Sequence, residues 1–282
     1  MLTTKKVNIV KGAVNKEKAK AKTVGFVPTM GALHKGHLSL VRKARLECDF
    51  LVVSIFINPL QFGRSEDYKK YPRNLNQDEY LLEKEKVNLL FWAQADKMYP
   101  ADFSVYVEEV NLSKVLCGYS RPGHFKGVCT ILTKLFNIVN PDIAYFGQKD
   151  YQQALIVKKI VRDLNFPIKI EILPTVREND GLAISSRNSC LSLRQRRSSS
   201  CLYRALSLAK KTIKGGERNS KNILDKMRQE IKNNDLTKID YIKILDAYSL
   251  KELTTLRGKV VVALAVYIGR TRLIDNIILN VG

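Results

Sequence analysis

The chain has no Cys-x-x-Cys pair, and its five cysteines (Cys48, Cys117, Cys129, Cys190, Cys201) are an odd set at irregular spacing. That pattern argues against a disulfide framework or a zinc ribbon and for a reducing compartment. No apolar run approaches the roughly 20 residues that a membrane span needs. Residues 260–268 form one of the longest runs. Lys5 and Lys6 are followed by no apolar run before Lys11, so no signal peptide is expected. Gly-x-Gly-x-x-Gly, a Walker-type Gly-Lys-Ser/Thr loop and a Gly-x-Ser-x-Gly elbow are all missing. Their absence weighs against dinucleotide oxidoreductases, P-loop kinases and α/β-hydrolases. Internal repeats are absent, and acidic residues are scarce.

What is present is a 282-residue chain with 48 Lys+Arg against 27 Asp+Glu, a formal net charge of +21. Hydrophobic residues make up 45%, with 12 Tyr and 10 Phe, which excludes a disordered polyelectrolyte and leaves ample material for a core. The basic excess raises the question of a nucleic-acid or anionic-membrane partner. Residues 1–176 carry 27 Lys+Arg and 17 Asp+Glu, and residues 177–282 carry 21 and 10, so the excess is spread along the chain and is denser toward the C-terminus. The basic residues are not interleaved with stacking aromatics along one segment, so neither nucleic acid nor membrane is expected as a partner. A cytoplasmic, soluble protein is expected. The Lys-rich stretch 11–22 reads as a solvated helix.

Up to about Val176, short apolar runs alternate with helix-period segments. TVGFVP (23–28) reads as a buried strand, followed by a turn and a helix over 36–47. FLVVSIFI (50–57) is a near-continuous β-branched and aromatic run, as expected for a strand covered on both faces. Helices over 74–86, 124–139 and 150–164 alternate with strands over 87–93, 142–146 and 168–173. That alternation predicts βαβ crossovers and a doubly wound parallel sheet, with ligands beyond the carboxyl ends of the strands. After Val176 the pattern changes to two basic amphipathic helices (193–214 and 220–233), an alternating strand (238–245) and a hairpin around 269–271. The expected organisation is therefore a large α/β domain over 1–176 and a small α+β domain over 177–282.

Chemistry-bearing residues gather where strands meet helices. The first such junction reads Pro-Thr-Met-Gly-Ala-Leu-His-Lys-Gly-His, residues 28–37, and holds His34 and His37, two of the three histidines in the chain. Residues i and i+3 share a helix face. A helix N-terminus with free N–H groups favours phosphate, and imidazoles there can donate to phosphoryl oxygens. Lone histidines more often sit at surfaces or caps, but the pair at this junction points to a nucleotide. Zinc-protease spacing (i, i+4 with Glu) is absent. Gly36 reads as room for close approach. Asn58 and Gln61 follow the strand 50–57, in a segment that reads equally as a turn around Pro59. The next junction, Phe146-Gly147-Gln148-Lys149-Asp150-Tyr151-Gln152-Gln153, offers a tight turn at Gly147, a point charge at Lys149, and at Asp150 either an N-cap or a ribose acceptor. Ser185, Ser186 and Arg187 suit a polyphosphate, and read in isolation they fit a polar turn as well.

Taken in order, PTMGALHKGH, VVSIFINPLQF, YPRNL, RPGHFKGV, PDIAYFGQKDYQQ, VRENDGLAISSRN and RLIDN resemble the pantoate–β-alanine ligase (pantothenate synthetase) family of the nucleotidyltransferase superfamily, across nearly the whole chain. The resemblance implies a Rossmann-like ATP domain with an HxGH motif, a small C-terminal α+β lid, and a homodimer through the larger domain. The implied reaction is ATP-dependent condensation of (R)-pantoate with β-alanine through a pantoyl adenylate, releasing pyrophosphate and AMP. It places ATP along Met30, Gly31, Ala32, Leu33, His34, Lys35, Gly36 and His37, with His34 and His37 on the phosphates and His37 as proton donor. Lys149 is implied to hold the polyphosphate with Ser185, Ser186 and Arg187 from a closing loop. Gly147 and Asp150 would lie at the ribose, Gln148 would also bind ATP, and backbone near Val176 and Ile184 would lie at the adenine. Gln61 and Gln153 would grip pantoate, against an apolar wall of Met30, Val128, Ile131, Leu132 and Phe146, and Gln61 would later lie near β-alanine. Mg²⁺ is implied with ATP. The acidic pair that the family places after Tyr-Pro-Arg has no clear register in Asn74–Glu79, so no protein ligand to the metal is assigned. Asn58, Arg121 and His124 carry no firm role. Related adenylyl- and cytidylyltransferases share HxGH and the Ser/Arg loop but lack the Gln61/Gln153 pair.

Overall fold

The apolar run 50–55 becomes a central strand because its neighbours on both sides bury it. In the computed structural model, which describes residues 1–63, 68 and 71–282, every residue of this run except Phe50 is buried. By contacts the chain divides into two units, 1–148 with 152–174, and 149–151 with 175–282. Lys149–Tyr151 thus cluster with the C-terminal residues, although chain order sets them within the first part.

The first unit contains β1 (Leu2–Thr4), α1 (Val7–Lys18), β2 (Val24–Thr29), α2 (Lys35–Glu47), β3 (Phe50–Ile55), α3 (Leu75–Lys84), β4 (Leu89–Trp92), α4 (Ala95–Met98), α5 (Cys117–Ser120), α6 (His124–Val139), β5 (Ile143–Gly147), most of α7 (Tyr151–Asp163), and β6 (Lys169–Leu173). Its six strands form one sheet in the order β1-β4-β3-β2-β5-β6, and every described pairing is parallel. Alternate residues serve opposite faces. Val27, Leu51, Val53 and Ile55 pack on Leu40, Val41 and Ala44 of α2, while Phe26 meets the Phe136 ring of α6 edge-on at 6.4 Å. The Rossmann-like, doubly wound arrangement follows.

Strand order reverses between β2 and β5, the topological switch point where such sheets bind ligands. The ladder between them covers only Gly25 and Phe26. Pro28, which has no N–H to donate, lies past the last of these pairs. The carboxyl ends of β2 and β5 are therefore free to part. β1 is a three-residue edge strand paired with β4, too short to show a period in sequence.

The second unit holds α8 (Leu193–Ser199), α9 (Cys201–Lys214), α10 (Ser220–Lys232), and an antiparallel sheet of β7 (Thr237–Asp246), β8 (Gly258–Ile268) and β9 (Thr271–Val281). Val260, Val262, Leu264, Val266 and Ile268 of β8 pack with Leu202, Leu206 and Ile213 of α9 and Ile223, Met227 and Ile231 of α10. The single helix expected over 193–214 is two, broken at Ser200. The hydroxyls of Ser199 and Ser200 donate to the carbonyls of Arg196 and Arg197, competing with the helical ladder. Gly269, at φ +59°, opens the two-residue turn of the β8–β9 hairpin.

Candidate active site

The turn after β2 runs through two successive left-handed residues, Gly31 (φ +81°) and Ala32 (φ +51°). Such a path is costly for alanine and must be held from outside. Thr29 and Asp78 hold it. The Thr29 hydroxyl donates to the Ser54 carbonyl and accepts the Gly31 N–H. From α3, the buried Asp78 carboxylate accepts the N–H groups of Ala32 at 2.9 Å and Leu33 at 2.7 Å. Burial raises the Asp78 pKa above the usual carboxylate range, and the two amides partly offset that. Asp78 is the residue that sequence reasoning left without a role: its carboxylate lies in the one stretch whose register was unclear. Asp78→Ala leaves two amides without their acceptor, so a loss of about 1–3 kcal/mol of stability is expected. Chemical denaturation measures it, and an unchanged midpoint would show that the turn holds itself.

This turn delivers His34 to the N-cap position of α2 and His37 to its first turn. The two rings stack with centroids 4.0 Å apart and an interplanar angle of 19°. A Cβ on Gly36 would lie 3.0 Å from atoms of the His34 ring, so glycine here also makes room for the imidazole.

Asn58 and Gln61 are buried together beyond β3. Asn58 Nδ2 donates to Gln61 Oε1 at 3.2 Å and to the Gly127 carbonyl at 3.0 Å, and its Oδ1 accepts from the Tyr99 hydroxyl at 2.8 Å. Gln61 Nε2 lies 2.7 Å from Met30 Sδ, which joins Gln61 to the start of the first junction. Behind it, His124 Nδ1 and an Arg121 N–H group both reach the Gln61 carbonyl, at 2.8 and 3.4 Å. Arg121 and His124 therefore brace the turn that carries Gln61. A Cβ on Gly127 would lie 2.4 Å from backbone atoms of Leu60, so α6 can approach the turn only with glycine there. Gly127→Ala is expected to cost about 1–3 kcal/mol by overpacking and to raise the KM for the substrate at Gln61. Unchanged stability and KM would show that the turn shifts freely.

The proposed apolar wall is part of the core: Val128, Ile131, Leu132 and Phe146 are all buried, and Met30 is half-buried. The two glutamines of α7 separate. Gln152 is buried, accepts the Cys117 N–H and donates to the carbonyls of Leu112 and Val115, a bracing role within the fold. Gln153 is half-buried. Gly147, expected to permit a tight turn, has no left-handed φ, and a Cβ on it would meet nothing within 4 Å, so the turn itself does not require glycine. Gln148, Lys149 and Asp150 form a short 3₁₀ turn before α7, so Asp150 sits in that turn.

In the second unit, Lys149 is largely buried with its Nζ 3.7 Å from Asp150 Oδ1. Val176 and Ile184 face each other across a loop neck, the Ile184 N–H donating to the Val176 carbonyl at 3.0 Å beside an Arg177–Ala183 bridge. Ser185, Ser186 and Arg187 follow directly. Ser185 Oγ accepts the Arg187 N–H at 3.3 Å, and all three are half-buried. Arg177, Asp275 and Asn276, which also lacked a role, surround this neck. The signal available in sequence was a polar pair, Asp275 and Asn276, inside the otherwise apolar strand 273–278.

A doubly wound α/β sheet with a paired-histidine strand–helix junction at its switch point defines a Rossmann-like enzyme of the HxGH type. The family model for pantoate-beta-alanine ligase matches residues 2–278. Pantothenate synthetase of Pseudothermotoga lettingae is 51% identical over 280 residues, 99% of each chain. The Thermotoga petrophila pantothenate synthetase is 54% identical over 261 residues, 93% of each. Among solved structures, pantothenate synthetase of Thermus thermophilus superposes with a TM-score of 0.94 at 42% identity, covering 98% of this chain and 99% of that one. The pantoate-beta-alanine ligase of Francisella tularensis, complexed with beta-gamma ATP and beta-alanine, gives 0.80 at 35% identity, covering 98% and 97%. The chain belongs to the pantoate–β-alanine ligase family, whose members are ligases of pantothenate biosynthesis.

Proposed function

We propose that this chain joins (R)-pantoate to β-alanine in two steps. A pantoate carboxylate oxygen attacks the α-phosphorus of ATP, the bond to the β-phosphate oxygen breaks, and pyrophosphate leaves. The β-alanine amine then attacks the acyl carbon of pantoyl adenylate and loses a proton, and AMP departs with the former pantoate oxygen. Activation replaces a poor carboxylate electrophile with a good leaving group. The observation that carries this reading is the stacked His34–His37 pair at the N-terminus of α2, where the helix dipole already favours an anion. Either ring can donate to phosphoryl oxygens as their charge grows, with His37 as the proton donor.

ATP runs along the Met30–His37 junction, with Gly147 and Asp150 at the ribose and Gln148 beside them. Lys149 and the Ser185–Arg187 turn meet its polyphosphate. The Val176–Ile184 pairing consumes the Ile184 N–H and the Val176 carbonyl, so the backbone available to an adenine is the Val176 N–H and the Ile184 carbonyl. Asn58 occupies Gln61 Oε1, which presents the Gln61 amide nitrogen to pantoate and later to β-alanine. Gln153 is the second pantoate residue. Mg²⁺ enters with the nucleotide: Asp78 is engaged by two amides, and among the described residues no three His, Cys, Asp or Glu side chains gather for a metal. ATP oxygens and waters suit that ion. Homodimerisation through the first unit and a cytoplasmic setting complete the proposal. No helix among the described residues is long and apolar enough to cross a membrane.

Gln153→Ala is expected to raise the KM for pantoate by about 10-fold, the scale of one lost hydrogen bond to a charged group, with the KM for ATP nearly unchanged. Steady-state titration of each substrate checks it, and an unaltered pantoate KM removes Gln153 from the site. The reaction itself is tested by pyrophosphate release from ATP that requires pantoate and proceeds without β-alanine. Release that ignores pantoate would sink the proposal.

A further inference from the structure

Two neighbouring residues on β9 reach two different parts of the proposed nucleotide site. Asp275, with a side chain only 1% exposed, makes a two-pronged ion pair with Arg177, at 2.6 Å from Nη1 and 2.9 Å from Nη2. Arg177 Nη1 also donates to the Gly181 carbonyl at 2.9 Å, and its guanidinium lies 4.8 Å from the Tyr203 ring. One residue on, buried Asn276 donates from Nδ2 to the Lys149 carbonyl at 2.9 Å. The strand thus ties the neck of the Ser185–Arg187 turn to the backbone of Lys149, within one unit.

The charges sharpen this picture. Burial disfavours the ionised form of Asp275, while Arg177 first and Lys149 less strongly favour it. An unpaired buried carboxylate is costly and seeks the nearest cation. With Arg177 in place, Asp275 has its partner. Without it, the carboxylate must either take up a proton or turn to Lys149, whose charge already favours its ionised form.

We propose that Asn276, Asp275 and Arg177 are positioning residues for Lys149: Asn276 fixes its backbone, and Arg177 neutralises Asp275 so that the ammonium stays available to the phosphates of ATP. This rests on the reading above that Lys149 meets those phosphates. Nothing in the proposed chemistry otherwise uses the Arg-Leu-Ile-Asp-Asn segment 272–276.

The test is a double-mutant cycle on the full chain, read as pantoate-dependent pyrophosphate release. Asn276→Ala should lower kcat/KM for ATP by about 10- to 10²-fold, the scale of a displaced catalytic group, with the KM for pantoate nearly unchanged and the Tm lower by only a few degrees, as one lost buried hydrogen bond implies. Added to Lys149→Ala, it should cost nothing further. Equal losses in both backgrounds, or no loss in either, overturn the proposal. Arg177→Met should lower kcat/KM for ATP more than Asn276→Ala, and Asp275→Asn in the same chain should recover part of it. No recovery in a folded double variant removes the neutralising role. If Lys149→Ala itself leaves kcat/KM for ATP at the wild-type value, the active-site reading fails first, which separates the two failures.

Discussion

His37→Ala is expected to slow pantoate-dependent pyrophosphate release by about 10²- to 10³-fold, the range for loss of one preorganised donor to transition-state charge. The decrease should fall on kcat more than on the KM for ATP, because the donation strengthens as charge develops on the phosphoryl oxygens. Folding should survive. The turn that places the ring is held by Thr29 and Asp78, and neither depends on the imidazole. Thermal unfolding run beside the rate assay separates the two roles. A Tm that collapses with activity would make His37 structural, and a rate within a few-fold of wild type would take it out of the chemistry.

Lys149→Ala is expected to cost about 10²-fold or more in kcat/KM for ATP, since in the proposed site its largely buried ammonium meets the polyphosphate at low effective dielectric. Lys149→Arg should recover only part, because a planar fork cannot replace a compact point charge held by its own backbone. The ammonium already sits near Asp150, at 3.7 Å, so its removal should leave the fold close to its original stability. Titration of ATP for all three proteins checks this. Equal kcat/KM for Lys149→Ala and wild type would contradict it.

The parts legible in the sequence were those with a strong local signature. The β3 run announces itself by five buried residues in a row, and α6 by an apolar face so broad that most of its residues are buried. The junctions could be found because His34/His37 and Lys149 sit where a strand gives way to a helix. What escaped depends on contacts distant in the chain. Asp78 acts across 45 residues on the Leu33 amide, and Asn276 across 127 on the Lys149 carbonyl. No periodicity carries that information. The glycines show the same limit: the sequence gives no sign that Gly36 also accommodates the neighbouring His34 ring. The split between α8 and α9 turned on serine hydroxyls competing for carbonyls, which an amphipathic pattern does not register. The net charge of +21 identified no substrate. Of its many members, the proposed chemistry uses only Lys149 and Arg187 directly, with Arg177 behind them.

The central claim is that the carboxylate of pantoate attacks the α-phosphorus. Pantoate labelled with ¹⁸O in its carboxylate, turned over with ATP and β-alanine and followed by mass spectrometry of the products, tests it most directly. One labelled oxygen should appear in AMP for each pantothenate formed, with pyrophosphate unlabelled. Label in orthophosphate with ADP as co-product, or AMP free of label, would contradict the account.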